Sequence, residues 1–372
     1  MGAQDLALTL RSLSVLRIGE GVAMKKRSYM AIIPATLLSS LALVGCTIIA
    51  LEVYSQQFGR VEGFRPGEFY TVFTWDNIDR NRYPRREVRF NSGGNSLQGF
   101  IYGMENDRGL IVISHGLGGS ADFYLAIIMH FVDRGWRIFA FNNTGTAGSE
   151  GESVRGLTQS VIDLDAALTF IARSDSLFDN LPVMLIGHSW GGFAVCAVLN
   201  FYHNVRASVS AVGFNNGRDV FEEQGTDVAG GFFHLLTPQL WTIEKQLFGD
   251  TARLTAVDGI NRSGIPVMIV QCLDDDLIRA DTTSIYAHRG RITNPNVEFF
   301  VREGIGHEFI FSSPGQREYM EWVASSWQEY RDRHENASPF QWAEEVGFCR
   351  VRANELDMEL MDRIEAFFDN AR

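Results

Sequence analysis

The stretch LPVMLIGHSWGGFAVCAVL, residues 181–199, decides the fold of this chain. The apolar run at residues 183–186 predicts a buried strand, and the small, apolar residues after Ser189 predict a helix. Gly187 and Gly191 lie two residues either side of Ser189. A serine at such an apex needs small neighbours, because its backbone is strained and its hydroxyl is exposed. The pattern predicts a nucleophile elbow; an ordinary glycine-rich turn is the alternative.

An acid to support Ser189 is predicted further along the chain. A serine hydroxyl needs a base to take its proton and a third group to orient that base, and in parallel sheets such groups follow later strands. The predicted strand at residues 266–270 precedes three consecutive aspartates, residues 274–276. We predict Asp275 as the acid, because it lies at the strand end, whereas its neighbours would cap a helix or stay solvated. Asp219, after the preceding strand, is the alternative acid.

The predicted base is His307. The apolar pattern of residues 297–301 predicts the last strand, and a Gly-Ile-Gly loop follows at residues 304–306. His307 comes next and completes the chain order Ser, Asp, His. We expect His188 to pack behind the serine and His115 to shape a loop.

A tetrahedral intermediate also needs hydrogen-bond donors for its oxyanion. The predicted strand at residues 109–114 runs into the sequence HGLGGS, residues 115–120, whose glycines leave backbone N–H groups free. We predict the N–H groups of Leu117 and Trp190 as the two donors, the latter because it follows the nucleophile. A plain strand–helix loop is the alternative.

Four motifs in this order resemble those of the α/β-hydrolases: HGLGGS at 115–120, GHSWGG at 187–192, CLDDDLI at 272–278 and GIGH at 304–307. The resemblance covers roughly residues 85–370. It implies an α/β fold of eight mostly parallel strands flanked by helices, and hydrolysis of an ester, thioester or amide through an acyl-serine. It assigns the nucleophile to Ser189, the base to His307 and the orienting acid to Asp275, with Leu117 and Trp190 as oxyanion donors.

The chain departs from many relatives after the fourth strand. Where they carry Asp-x-Arg-Gly-His-Gly, residues 142–147 read Asn-Asn-Thr-Gly-Thr-Ala. Cys272 stands where a glycine is expected before the acid. The triad is untouched, but no subfamily's substrate follows from the resemblance.

Eight strands and a large insertion are predicted in the body of the chain. The strands are a hairpin at residues 88–90 and 97–102, followed by 109–114, 137–141, 183–186, 207–214, 266–271 and 297–301. Residues 215–264 are too long for an ordinary connection and predict a small helical cap over the serine. Its candidate pocket residues, together with His115, are Phe232, Phe233, Leu236, Leu240 and Trp241. The alternative is a helical pair packed on the sheet edge. A second insertion is predicted at residues 312–352.

The charge of the 372-residue chain limits its partners. Its formal net charge is −12, and residues 1–51 carry five basic and two acidic side chains, which leaves −15 on the rest. Such a surface disfavours nucleic acid and anionic lipid headgroups. The four cysteines, Cys46, Cys196, Cys272 and Cys349, have no metal-ligand spacing. We therefore predict no metal, no disulfide framework and no cofactor.

The amino-terminal part of the chain predicts attachment to a membrane. Basic residues 25–27 precede 21 uncharged residues, 31–51, which as a helix would span about 30 Å, the thickness of a bilayer core. The flanking charge predicts an extracytoplasmic catalytic domain. An uncleaved anchor at residues 24–51 is favoured over a lipoprotein signal in which LVGC, residues 43–46, would leave Cys46 lipidated. Met24 is the predicted start, with residues 1–23 an upstream extension.

The predicted domains are therefore an anchor, a connector at residues 52–86 and a catalytic domain at residues 87–372. We expect a serine hydrolase acting on a small or medium carboxylic ester, with an amide or peptide as the next choice. The same triad would serve an acyltransferase. A catalytically silent fold that only binds its ligand is the alternative outside enzymes.

Overall fold

The computed structural model describes the backbone of residues 29–372 and the side chains of residue 41 and residues 43–372. Ile49–Arg372 forms one compact unit. The predicted start at Met24 and the extension before it lie outside the described residues. Among the residues that are described, none of the helices combines the length and apolar character needed to cross a bilayer.

One eight-stranded sheet forms the centre of the catalytic unit. Its strands are β1 (Arg85–Ser92), β2 (Asn95–Tyr102), β3 (Leu110–Ser114), β4 (Arg137–Phe141), β5 (Val183–His188), β6 (Val205–Ala211), β7 (Val267–Cys272) and β8 (Val297–Arg302). The order is β1-β2-β4-β3-β5-β6-β7-β8. β2 pairs antiparallel with β1 and β4, and all other pairs are parallel. The predicted eight-stranded, mostly parallel α/β sheet is confirmed.

Eleven α-helices occur among residues 29–372: α1 (Tyr29–Gln57), α2 (Leu125–Val132), α3 (Gln159–Ala172), α4 (Asp175–Phe178), α5 (Trp190–Ala197), α6 (Gly217–Ala229), α7 (Thr237–Phe248), α8 (Ala256–Ser263), α9 (Pro314–Arg333), α10 (Pro339–Glu345) and α11 (Met358–Asp369). Short 3₁₀ helices connect several of them, including Gly230–Leu235 between α6 and α7. The predicted strand at residues 207–214 ends early, at Ala211, because Val212 takes a left-handed φ of 45°.

The central strands of the sheet are buried on both faces. Along β3, Leu110 and Val112 belong to one apolar core, and Ile111 and Ile113 belong to the other. This alternation follows from the two-residue period of a strand, and it explains why the parallel strands read as continuous apolar runs. A third, smaller core around Trp342 stabilises the segment after β8.

The segment between β6 and β7 divides into two parts. α6, the 3₁₀ helix Gly230–Leu235 and α7 are called the cap below. α8 instead packs against α5 beside the sheet, where a Cβ atom at Gly259 would lie 2.1 Å from the carbonyl oxygen of Cys196. The cap therefore occupies the first part of the predicted insertion.

Candidate active site

Ser189 lies at a sharp turn between β5 and α5. Its φ of 55° and ψ of −113° place a non-glycine residue in a rarely populated region. The turn is possible because its glycines approach other backbone closely: a Cβ atom at Gly187 would lie 2.1 Å from the Gly191 carbonyl oxygen, and one at Gly191 1.9 Å from that of Ser114. The Ser189 N–H donates to the carbonyl of Ala211 at 2.8 Å. The backbone of this turn has the geometry of a nucleophile elbow.

The structure brings the three predicted triad residues together. His307 Nε2 lies 2.8 Å from Ser189 Oγ, and His307 Nδ1 lies 2.8 Å from Asp275 Oδ2. His307 and Asp275 are buried, at 6% and 3% exposure. Both distances lie within hydrogen-bond range, as general-base activation of a hydroxyl requires.

Asp275 is the aspartate in contact with His307, because the loop after β7 holds the Asp275 carboxylate in place. Its second oxygen, Oδ1, accepts the N–H groups of Leu277 at 3.0 Å and Ile278 at 2.8 Å. A carboxylate that accepts all these hydrogen bonds is held in one orientation. The alternative acid, Asp219, lies in the first turn of α6, where its N–H is capped by Asn216.

Asp274 contacts the loop that carries the base. Its carboxylate accepts the N–H groups of Gly304 at 2.6 Å and Gly306 at 3.2 Å. Hydrogen bonds, first from the Cys272 thiol and then from Gly304, lower the pKa of Asp274. Gly304 and Gly306 have φ near +69° and +68°, so this loop needs glycine. Cys272 thus has a polar contact where relatives carry glycine.

The two predicted oxyanion donors lie on either side of the serine. Trp190 is the first residue of α5, so its N–H has no acceptor one turn earlier in the helix. In the opposite loop, Gly116 N–H donates to the Tyr124 hydroxyl, and Gly119 N–H donates to the Gly116 carbonyl. Leu117 N–H has no acceptor within residues 29–372. Both N–H groups are therefore free for a ligand.

A hydrogen-bonded chain behind the serine joins the oxyanion loop to the base loop. The Tyr124 hydroxyl, which accepts from Gly116, donates to His188 Nδ1 at 3.0 Å. His188 Nε2 then donates to the carbonyl of His307 at 3.3 Å. Burial lowers the pKa of His188 to about 3, which keeps the ring neutral, as this pattern of one donor and one acceptor requires. His188 therefore lies behind the serine, and its ring positions the catalytic loops.

His115 braces the oxyanion loop and does not line the cavity, which corrects its predicted place in the pocket. Its Nδ1 donates to the Gly116 carbonyl at 2.8 Å, and its Nε2 accepts the N–H of Asn143 at 3.0 Å. Burial lowers the pKa of His115 to about 4. The unusual sequence at residues 142–147 thus contributes to the site through the support of His115.

A large cavity opens onto Ser189. Its volume is about 940 Å³, and Ser189, His307, Leu117 and Trp190 all line it. Two of the predicted cap residues, Phe233 and Leu236, line it as well. The volume is near the upper end of the range of about 300–1,000 Å³ found for small-molecule sites.

Three other predicted pocket residues do not line the cavity, which corrects the prediction. Phe232 is 80% exposed, because in a 3₁₀ helix neighbouring side chains point about a third of a turn apart and Phe233 takes the inward position. Trp241 lies outside the cavity, where Lys245 contacts its ring face at 5.3 Å. Leu240 is buried within the cap and does not line the cavity.

The sequence reasoning missed cavity residues that come from the end of α1. Ile49, Val53, Gln57 and the following Phe58 line the cavity. The first three recur every four residues, a spacing that places them on one face of a helix, but they overlap the predicted anchor and connector. Among the described residues, Glu308 and Glu355 are the only Asp, Glu, Lys or Arg side chains that line the cavity. Among the described residues there is no group of three potential metal ligands.

Comparison with known proteins places the fold. A family model described as serine aminopeptidase, S33, matches residues 105–253, less than half of the chain. An esterase from Pyrococcus furiosus has a similar structure, with a TM-score of 0.51, 16% sequence identity, and coverage of 74% of this chain and 98% of that chain. The chain has the α/β-hydrolase fold.

Two further structures are similar to this chain over smaller regions. An acylaminoacyl peptidase from Pyrococcus horikoshii has a TM-score of 0.47 and 17% identity, covering 61% of this chain and 38% of that chain. A puromycin-hydrolyzing peptidase from Mycobacterium tuberculosis has a TM-score of 0.47 and 18% identity, covering 61% and 37%. No curated protein sequence matches the chain significantly.

Proposed function

We propose that this hydrolase cleaves a carboxylic ester through an acyl-serine intermediate. The observation that carries the proposal is the unbroken contact from Ser189 through His307 to Asp275, with 2.8 Å at both steps. A serine in such contact is activated for attack on an acyl carbon. Its place at the wall of a large cavity gives a substrate room to reach it.

The proposed reaction uses only groups of the chain and water. Ser189 Oγ attacks the acyl carbon while its proton passes to His307 Nε2, and Asp275 stabilises the imidazolium. The N–H groups of Leu117 and Trp190 hold the oxyanion. His307 returns the proton to the leaving group, and water, activated by the same ring, then releases the acid. An alcohol in place of water would give acyl transfer, which product analysis with an added acceptor distinguishes.

The cavity favours an uncharged, apolar acyl group. Its inner surface includes Phe221, Phe233 and Leu236 from the cap and Phe58 from the segment after α1. No lysine or arginine is among the described residues that line it. An anionic substrate would therefore meet two carboxylates without a compensating cation, which disfavours it.

A peptidase that acts on a free amino terminus is the second candidate. Glu308, next to the base, and Glu355 place exposed carboxylates at the cavity, and a carboxylate attracts a protonated amine. The partial match to a serine aminopeptidase model points the same way. Faster cleavage of an aminoacyl p-nitroanilide than of its N-acetyl form, abolished by Glu308→Gln, would favour this candidate.

Labelling with a fluorophosphonate tests the proposed function. We expect the wild-type chain to be labelled and Ser189→Ala not to be, because only an activated serine displaces the fluoride. Hydrolysis of p-nitrophenyl esters should fall by at least about 10³-fold in the variant, since the attacking oxygen is lost. A folded wild-type chain that takes no label would instead support a silent binding fold.

We also propose that residues 31–51 attach the chain to a membrane, with the catalytic unit on the outer side. The support is the sequence: 21 uncharged residues follow the basic residues 25–27. The chain should remain in the membrane fraction after alkaline carbonate extraction, and recovery in the soluble fraction would contradict the proposal. Mass spectrometry of the mature amino terminus separates the two forms of attachment, because only a lipoprotein would begin at a lipidated Cys46.

A further inference from the structure

The last turns of α1 are part of the catalytic unit. Ala50 and Tyr54, with Phe58 just beyond the helix end, are buried in the larger core, at 0%, 6% and 2% exposure. They recur every four residues, so one face of the helix packs on the catalytic unit. The chain after α1 also contacts the catalytic unit, because the Arg60 side chain donates to the carbonyls of Ala147 and Gly151.

The neighbouring face of the same turns lines the substrate cavity. Ile49, Val53 and Gln57 share the four-residue spacing, one position before the buried set. Val53 is half-buried, whereas Ser55, about 160° away around the helix, is exposed and does not line the cavity. The helix therefore presents one face to the core and an adjacent face to the substrate.

A buried hydrogen bond fixes these turns to the cap. The Tyr54 hydroxyl donates to Glu244 Oε1 of α7 at 2.5 Å, and Thr158 donates to the other oxygen at 3.1 Å. Burial raises the pKa of Glu244. Gly156 makes this contact possible, because a Cβ atom there would lie 2.0 Å from the Tyr54 oxygen. Breaking the pair would leave a buried carboxyl short of a donor, which is costly.

Aromatic contacts join the same turns to α6. The ring of Phe221, in α6, lies 5.4 Å from the ring of Phe58 and 6.0 Å from that of Tyr54. Phe221 and Phe58 both line the cavity. The end of α1 and α6 therefore contribute to one apolar surface of the cavity that Leu117 of the oxyanion loop also lines.

We propose that Ile49 and Val53 of α1 set the length of the alkyl or acyl chain that the cavity accepts. The inference rests on the proposed function for its substrate class. The cap alone does not enclose the cavity, because these two side chains come from a helix that precedes the first strand of the sheet by some 30 residues. A larger side chain at either position would shorten the cavity without touching the triad.

Two fluorophosphonates, one with an ethyl chain and one with a dodecyl chain, test the proposal on the full-length chain. We expect Val53→Trp to slow labelling by the dodecyl probe at least tenfold and to leave ethyl labelling within twofold. Ser55→Trp, on the opposite side of the helix from Val53, is the matched control and should change neither rate. Ile49→Trp should act like Val53→Trp, and Val53→Ala should favour the dodecyl probe.

Calorimetric binding of dodecanol to the same variants supplies a readout that needs no activated serine. Val53→Trp should weaken this binding at least tenfold and Ser55→Trp should not. If wild type takes no label but dodecanol binding responds as described, the proposed function fails and the inference about the helix holds. If labelling occurs and no substitution at positions 49 or 53 alters chain-length preference or dodecanol binding, the inference is overturned. Should Val53→Trp not fold, Val53→Ala decides by the same two measurements.

Discussion

At the scale of single residues, the site depends on which of several similar side chains the backbone holds in place. Three consecutive aspartates follow β7, and only Asp275 contacts His307. Asp274 turns to the glycine loop instead, and Asp276 is exposed. The choice follows from the donors around Asp275, namely the N–H groups of Leu277 and Ile278.

Asp275→Asn should lower kcat for an ester substrate by about 10³–10⁴-fold. The amide would keep the shape of the side chain but would no longer stabilise the imidazolium or hold the correct tautomer of His307. Steady-state kinetics with p-nitrophenyl butyrate measures the effect. The neighbour offers a matched control, because Asp276→Asn should leave kcat within about twofold; equal losses in both variants would refute the assignment of the acid.

At the scale of elements, the elbow is decided by how closely α5 approaches β3. Gly191 passes so near the Ser114 carbonyl that no side chain fits between them. The same contact holds the first turn of α5, and with it the Trp190 N–H, beside the serine. β5, the turn at Ser189 and α5 therefore pack together as one unit.

Gly191→Ala should destabilise the fold, because its Cβ atom would lie 1.9 Å from a backbone oxygen that has no freedom to move. Overpacking of this kind typically costs about 1–3 kcal/mol or more. Chemical denaturation of the two proteins measures the loss. Gly290→Ala is the control, since its Cβ atom would meet nothing within 4 Å; a similar loss at both positions would contradict the packing argument.

At the scale of the whole molecule, several histidines are buried in neutral form. His115 and His188 brace the site, and His130 lies in α2, where burial first and Arg134 next lower its pKa from 6.5 to about 4, against the opposite effects of Asp362 and Asp133. Below pH 6.5 the unfolded chain binds protons that the folded chain does not. Stability is therefore full above about pH 6.5 and lost as the pH falls towards 4.

His130→Phe should reduce this loss. Between pH 7.5 and pH 5 the free energy of unfolding should fall by about 1 kcal/mol less in the variant than in wild type, because one buried group no longer titrates. Urea denaturation at the two pH values measures the difference. His234→Phe, at an exposed position, should keep the wild-type dependence; a reduced loss there as well would argue against burial as the cause.

Prediction from the sequence succeeded where the structure depends on consecutive residues. The central parallel strands were predicted because parallel strands buried on both faces must be continuously apolar, and the first two strands because a glycine-rich turn joins them as a hairpin. The elbow was predicted because its glycines are needed within two residues of Ser189. Phe232 and Trp241 were misplaced because a pattern of apolar residues does not show which side of a short helix faces inward.

The sequence by itself determined the sheet, the elbow and the order of its candidate catalytic groups, since each depends on local spacing and on the apolar character of single segments. Only the tertiary structure decided how Tyr124, His188 and His115 brace the loops, and that Ile49 and Val53 line the cavity. These contacts join residues far apart in the chain, and the local sequence pattern does not show which distant surfaces pack against each other. Tertiary packing determines these contacts, because buried polar groups need hydrogen-bond partners and apolar surfaces are stabilised when they are removed from water.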